Sequence, residues 1–164
     1  MEKQLPAFMR KQYADYSSFA GQTIEQVFGK ELDRATKFSA NTLSSAMLIN
    51  SGKGNYRISK LPIQLQWSPI FSFLTDDFNA DHKTDIISAG NFYGALPYEG
   101  RYDANHGDVL INKSGSSFNI LPSTQSGVQL EGEIRDMKYI QTSSGKIIVV
   151  ARNNRSLLFY RQIK

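Results

Sequence analysis

The sequence predicts a mainly β fold: a partial β-propeller of antiparallel four-stranded blades, preceded by short N-terminal helices. Three observations carry that expectation. Short apolar runs recur after residue 41, turn residues separate most of them too closely for crossover helices, and the chain repeats itself. LINSGKGNYRISKLP at 48–62 parallels LINKSGSSFNILP at 110–122, placing Asn112 62 residues after Asn50. Segments ending in AGN at 89–91 and ARN at 151–153 place Asn153 62 residues after Asn91. A shared offset at a period that accommodates four short strands is the pattern of propeller blades. The chain has room for about two to two and a half such units, whereas a closed propeller uses about 4–8. It is therefore expected to belong to a larger propeller or to complete itself by oligomerising.

Taken in order, residues 1–40 read as a helical segment and 41–164 as blades. Ile24, Val27, Phe28, Leu32 and Ala35 recur at steps of three and four, the stripe of an amphipathic helix expected to cover part of a sheet. Thr23 with Gln26 three places on matches a capping box, so that helix should begin there. Gly29 within it weakens the helix by about 1 kcal/mol relative to alanine. A shorter helix over 6–13 would bury Phe8 and Met9. Strands are expected at 46–49, 70–74, 85–89, 109–111, 118–121, 134–140, 146–151 and 157–160. Residues 91–107, rich in Gly, Tyr and Pro, read as an ordered excursion. Trp67 is expected to pack between blades. Asn153, Asn154 and Arg155 read as the turn between the last two strands.

Composition narrows the function classes. The 164 residues are 40% hydrophobic and contain no cysteine, so a core can form without disulfides, thiolate metal sites or a cysteine nucleophile. No apolar run reaches the roughly 18 residues of a membrane span. The first residues lack a secretory leader, so an extracytoplasmic role would need one on a longer parent chain. The net charge of +4 is not gathered into a basic block, which argues against nucleic acid. Between Ile70 and Asp108 the balance is acidic, with Asp76, Asp77, Asp81, Asp85, Glu99, Asp103 and Asp108 against Lys83 and Arg101.

Within that acidic stretch, TDDFNADHKTDII sets Asp77, Asn79, Asp81 and Asp85 at positions 1, 3, 5 and 9 of a loop. Side-chain oxygens at odd positions can converge when a loop curls around a cation, and the Lys83 carbonyl at position 7 would complete the ring. An all-oxygen set with three carboxylates suits Ca²⁺, and those carboxylates would repel one another without it. Position 6, where glycine suits a sharp turn, is His82, which predicts a weak site of about 10⁻⁴–10⁻³ M. The flanking strands make the loop a hairpin turn.

DFNADHKTD at 77–85, followed by IISAGN, resembles the calcium loop of FG-GAP/VCBS repeats such as those of integrin α-subunit propellers. The likeness extends over SPIFSFLTDDFNADHKTDIISAGNFYGALPYEGRYDANHGDVLIN, which is similar to terminal blades of ASPIC/UnbV-associated VCBS proteins of Bacteroidetes type. LPAFMRKQYADYSSFAGQTIEQVFG resembles an inter-blade helical segment of the same proteins. The resemblance implies a calcium-binding seven-bladed propeller in a periplasmic, cell-surface or secreted protein, of which this chain is the C-terminal part. It also implies that Asp77, Asn79, Asp81, the Lys83 carbonyl and Asp85 hold the ion. QTSSGK at 141–146 lacks the carboxylates of a second loop.

The resulting expectation is a non-catalytic calcium-binding module, with a protein or carbohydrate ligand unidentified. A homodimer through open blade edges is also expected. The competing expectation is a carbohydrate-active, polysaccharide lyase-like enzyme. It would use Arg101, Tyr102, Asp103, Asn105 and His106, residue types suited to proton abstraction beside a neutralised carboxylate. Against it stands a structural role, with an Arg–Asp pair, Asn91, Tyr93 and Tyr98 pinning the excursion. A piece that merely closes a parent propeller is the third expectation.

Overall fold

A computed structural model describes residues 9, 12–115 and 117–162. The chain divides into two compact units, Met1–Thr42 and Leu43–Lys164. In the first, Asp15 caps α1 (Tyr16–Phe19) by accepting the Ser18 N–H, and Thr23 and Gln26 form the expected reciprocal capping box on α2 (Ile24–Phe28). The expected long helix stops there. Gly29 takes φ +49° and the chain continues as a 3₁₀ segment, Gly29–Arg34, so Leu32 and Ala35 leave the α-helical stripe. Val27 joins Met9 and Tyr13 in a small cluster edged by Phe19 and Phe28, while Ile24 remains 62% exposed. Phe8, and most of the helix expected over 6–13, lie outside the described residues.

The second unit is antiparallel β throughout. A hairpin, β1 (Ala46–Asn50) and β2 (Tyr56–Lys60), precedes a four-stranded sheet of β3 (Ile70–Asp76), β4 (Asp85–Gly90), β5 (Asp108–Ser114) and β6 (Ser117–Leu121). A three-stranded sheet of β7 (Ile134–Thr142), β8 (Gly145–Arg152) and β9 (Leu158–Tyr160) follows. All eight expected strands form, within a few residues at their ends. The ninth, β2, was missed because Tyr56-Arg57-Ile58-Ser59-Lys60 alternates with charge in a short run.

Several strand ends share the 62-residue offset seen in the sequence. Ala46 and Asp108, 62 residues apart, open β1 and β5, while Gly90 and Arg152, also 62 apart, close β4 and β8. β3 and β7 each carry a register shift at their second residue, Phe71 and Arg135. The Arg135 guanidinium lies 4.3 Å above the Phe71 ring, so the two irregularities stack across the sheets. Beside them, the Met137 N–H donates to Ser72 Oγ at 3.0 Å, fixing β7 on β3.

The core is the seam between these sheets. Pairing Leu74 with Ile87 and Ile87 with Val109 puts all three on one face of the first sheet. Pairing Met137 with Val150 and Val150 with Leu158 does the same on the second. The faces meet with Leu130 and Ile134 between them. Trp67, expected between blades, is instead 58% exposed, and Leu65 two residues earlier is fully buried. The 3₁₀ turn over Ile63–Gln66 inserts the leucine, and Gln66 holds it by bonding both the N–H and the carbonyl of Ser45.

Gly90 is where β4 passes closest to the chain entering β3. A Cβ there would stand 1.8 Å from the Pro69 carbonyl oxygen, a contact that only backbone displacement relieves. Gly90→Ala is expected to cost about 3 kcal/mol or more, read from urea denaturation against the parent protein.

Candidate metal centre

Asp76 pairs with Asp85, so residues 77–84 form the hairpin connection between β3 and β4, as the flanking apolar runs predicted. The loop turns back on its own acidic side chains. Asp77 Oδ1 accepts the Asp81 N–H at 3.1 Å and its Oδ2 accepts the His82 N–H at 2.8 Å. Asn79 Oδ1 also accepts the Asp81 N–H, and Asp81 Oδ1 accepts the Lys83 N–H at 2.9 Å. The Asn79 and Asp81 bonds are Asx-type turns in series, formed because these short side chains reach the backbone two residues on, whereas Asp77 spans the loop to donors four and five residues away. His82 takes φ +64° and Ala80 φ +60°, both in the left-handed region. A non-glycine residue there costs about 1–2 kcal/mol, the strain anticipated for position 6.

Asp85 differs from the other donors in being fully buried. Its Oδ2 accepts the Phe78 N–H at 3.0 Å and its Oδ1 the Asn112 N–H at 2.8 Å. The end of the loop is thereby tied both to its own start and to β5. Asn112 in turn donates to the Thr84 carbonyl at 3.1 Å, leaving its own Oδ1 buried without a donor. Sequence reasoning missed Asn112 as part of this site. Its signal was there, since it is the asparagine of the second LIN repeat.

Two lysines supply local positive charge. Lys83 Nζ lies 3.2 Å from Asp81 Oδ2. Lys146 reaches across from β8 to bond Asp76 while lying 4.0 Å above the Tyr139 ring. The Asp76 carboxyl is held below the usual carboxylate range, first by the Lys146 bond, which outweighs the opposing effect of burial. At Asp81 desolvation is the largest influence and acts upward. The Lys83 N–H and ammonium, with Asn79, overcome it and hold the carboxyl low. The structure thus brings Asp77 and Asn79 onto one shared donor, the Asp81 N–H, places the Asp81 carboxylate on the Lys83 N–H, and buries Asp85 at the end of the loop. Among the described residues, no three acidic or histidine side chains converge tightly enough to form a metal-binding group by themselves. The corresponding turn of the second sheet is tight, with Thr142 paired directly to Gly145.

At the other candidate site, Asn105 belongs to a buried hydrogen-bond network centred on Asn91. Asn91, 1% exposed at φ +85°, donates through Nδ2 to the carbonyls of Asn105 at 2.7 Å and Gly132 at 3.0 Å. Its Oδ1 accepts from Ser68 Oγ at 2.8 Å and from the Asn105 N–H at 3.0 Å. Asn105 is thus held at the root of the excursion, where it also donates to Asp108 at 2.9 Å. Phe92 and Tyr102 pair as a two-residue bridge that closes the excursion. Arg101 stacks 4.9 Å from the Tyr93 ring, where an Arg–Asp pair had been expected. Tyr98 is 78% exposed. Glu133, unremarked in the sequence, accepts the Tyr93 N–H and an Arg135 bond through Oε1 and the Asn153 amide through Oε2.

Comparison with protein-family models, curated proteins and solved structures gives no match.

Glu133 is held below its ordinary value by the Tyr93 N–H first and the Asn153 amide second, against opposing desolvation. Like the lowered Asp76, Asp81 and Asp136, it stabilises the fold above about pH 4, and that contribution is lost as pH falls through the lowered value. Asp108 is pushed up by burial, with His106 opposing. It favours the fold below about pH 4 and loses that advantage as pH rises through its raised value. With Asp15 and Glu25 also lowered, six carboxyls among the described residues stand against one raised, which predicts acid-weakened stability. Glu133→Gln is expected to cost about 1–2 kcal/mol at pH 7 and far less at pH 3, measured by urea midpoints at both values.

Proposed function

We propose that this chain is a non-catalytic, calcium-stabilised segment of an FG-GAP/VCBS-type β-propeller, serving as an interaction module within a larger exported protein. The observation that carries this reading is the arrangement of residues 77–85. Side-chain oxygens at alternating positions are already organised by bonds from the N–H groups of Asp81, His82 and Lys83. A carboxylate offers about four lone-pair sites, so one or two such bonds leave acceptor capacity for a hard cation. Asp77, Asn79, Asp81, the Lys83 carbonyl and Asp85 would hold the ion. Bound calcium would supply positive charge among the carboxylates and perform no reaction. The donor chemistry fits; the tightness does not, because the ion must displace the Lys83 ammonium from Asp81 and tolerate His82 in a left-handed turn.

The propeller part of the proposal draws on the strand repeat and on the face-to-face stacking of consecutive antiparallel sheets. The lyase-like reading draws less support. Asn105 is committed to the Asn91 network, and Arg101 lies against Tyr93.

Calcium that binds only the folded loop stabilises the chain by mass action. At tenfold excess over a millimolar dissociation constant the gain is about 1.4 kcal/mol, a rise of about 3–6 °C in Tm. Asp81→Ala should abolish the rise without changing the far-UV spectrum. Identical melting of the parent protein in 10 mM calcium and in chelator, each concentration about that order, would overturn the metal assignment.

A further inference from the structure

The two stacked sheets differ by one strand, and the difference leaves a shaped space. The first sheet runs β3-β4-β5-β6, the second stops at β9, and among the described residues nothing pairs with the outer side of β9. Opposite that edge lies a cavity of about 400 Å³ lined by Ile111, Leu121, Val128, Ile148, Tyr160 and Gln125 among others. The cavity continues the seam between the sheets, at the place where β6 has no strand facing it.

The repeat says what fits there. Val150 and Ile148 follow Ser88 and Ile86 by 62 residues, and they pair with Leu158 and Tyr160 as Ser88 and Ile86 pair with Asp108 and Leu110. β9 therefore occupies the place of β5. Beside β5, β6 sets Ile120 opposite Leu110 and Phe118 opposite Asn112, so both side chains stand on one face. A strand lying on β9 in the same register would set one apolar side chain opposite Tyr160 and the next opposite Gln162. Both residues line the cavity. Strand edges present unpaired N–H and C=O groups that bind an extended chain, while pockets for alternate side chains give selectivity.

We propose that β9 is a strand-acceptor edge. Its occupant is an extended polypeptide strand with a large apolar residue at every second position, in the pattern of Phe118 and Ile120. The main chain of the incoming strand bonds to β9, and its two apolar side chains fill the cavity. The inference depends on the strand repeat and not on the calcium loop, so the failure of one leaves the other standing.

The test uses the full chain and a fluorescent peptide copying residues 113–122. Saturable binding by anisotropy is expected, with slowed amide exchange at Leu158, Phe159 and Tyr160. A peptide carrying Phe118→Asp and Ile120→Asp should bind about tenfold more weakly or worse. Gln125→Trp, at an exposed rim position, fills the cavity mouth and should weaken the native peptide by a similar factor while leaving the melting curve unchanged. Val128→Trp provides a second blocking variant. Equal binding of the two peptides, binding without protection of β9, or no binding at millimolar peptide would each overturn the proposal.

Discussion

The second unit is organised around one buried amide. Asn91 closes β4, turns the chain through a positive φ that asparagine tolerates better than most residues, and satisfies its side chain on three segments at once. An amide can do this because it carries both donors and an acceptor; an aliphatic residue of similar size would strand the carbonyls of Asn105 and Gly132. Its repeat counterpart performs a related task. The Asn91 N–H donates to the Pro69 carbonyl and the Asn153 N–H to that of Glu133, each joining the end of a second strand to the entry of the first. Glu133 then binds the Asn153 amide, so the polar network spans both sheets and the root of the excursion.

The loop and the network occupy opposite ends of β4. Asp85 at its start and Gly90 at its end are both buried, and the residues between alternate into the core seam. A change in the loop is therefore felt first through Asp85, whose two oxygens hold Phe78 and Asn112, and thus through β5. The second sheet's side feels it at Asp76, where Lys146 crosses from β8, and at Phe78, whose carbonyl accepts from Gln162 just beyond β9. That lysine is 47% exposed at its side chain, so solvent screens its attraction strongly. The loop is therefore tied more firmly into the β3-β4-β5 sheet, through the buried Asp85, than to the second sheet.

Much of this was legible in the residues. Apolar runs bounded by Gly, Asn and Ser located eight strands, and the offset of Asn50 to Asn112 and Asn91 to Asn153 located equivalent positions before any coordinate was known. The capping box was legible for the same local reason. What escaped depended on distant contacts. Nothing near Trp67 signals that Leu65 would be the inserted residue, and the role of Glu133 exists only once Tyr93 and Asn153 arrive beside it. The alternating oxygens of 77–85 were legible as a loop, but the Lys83 side chain was overlooked while its carbonyl was being counted as a ligand. Its reach to Asp81 is a side-chain property that a pattern of spacings does not contain.

The same repeat that places the core also accounts for apolar side chains left outside it. Phe73 and Met137 each stand two residues beyond the irregularity of an inner strand, yet Met137 is 1% exposed and Phe73 52%. Met137 points the contrast because its face of the second sheet has a neighbour, whereas the matching face of the first lacks one at that point. On the far side of the second sheet, Ile140 and Phe159 are similarly exposed at 48% and 61%. Scattered exposed apolar residues are ordinary, but Phe73 and Phe159 correspond by register to Met137 and Val109, which lie in the packed seam. Strands with one wet face carry polar residues at such positions, whereas Phe73 and Phe159 leave these two faces partly apolar.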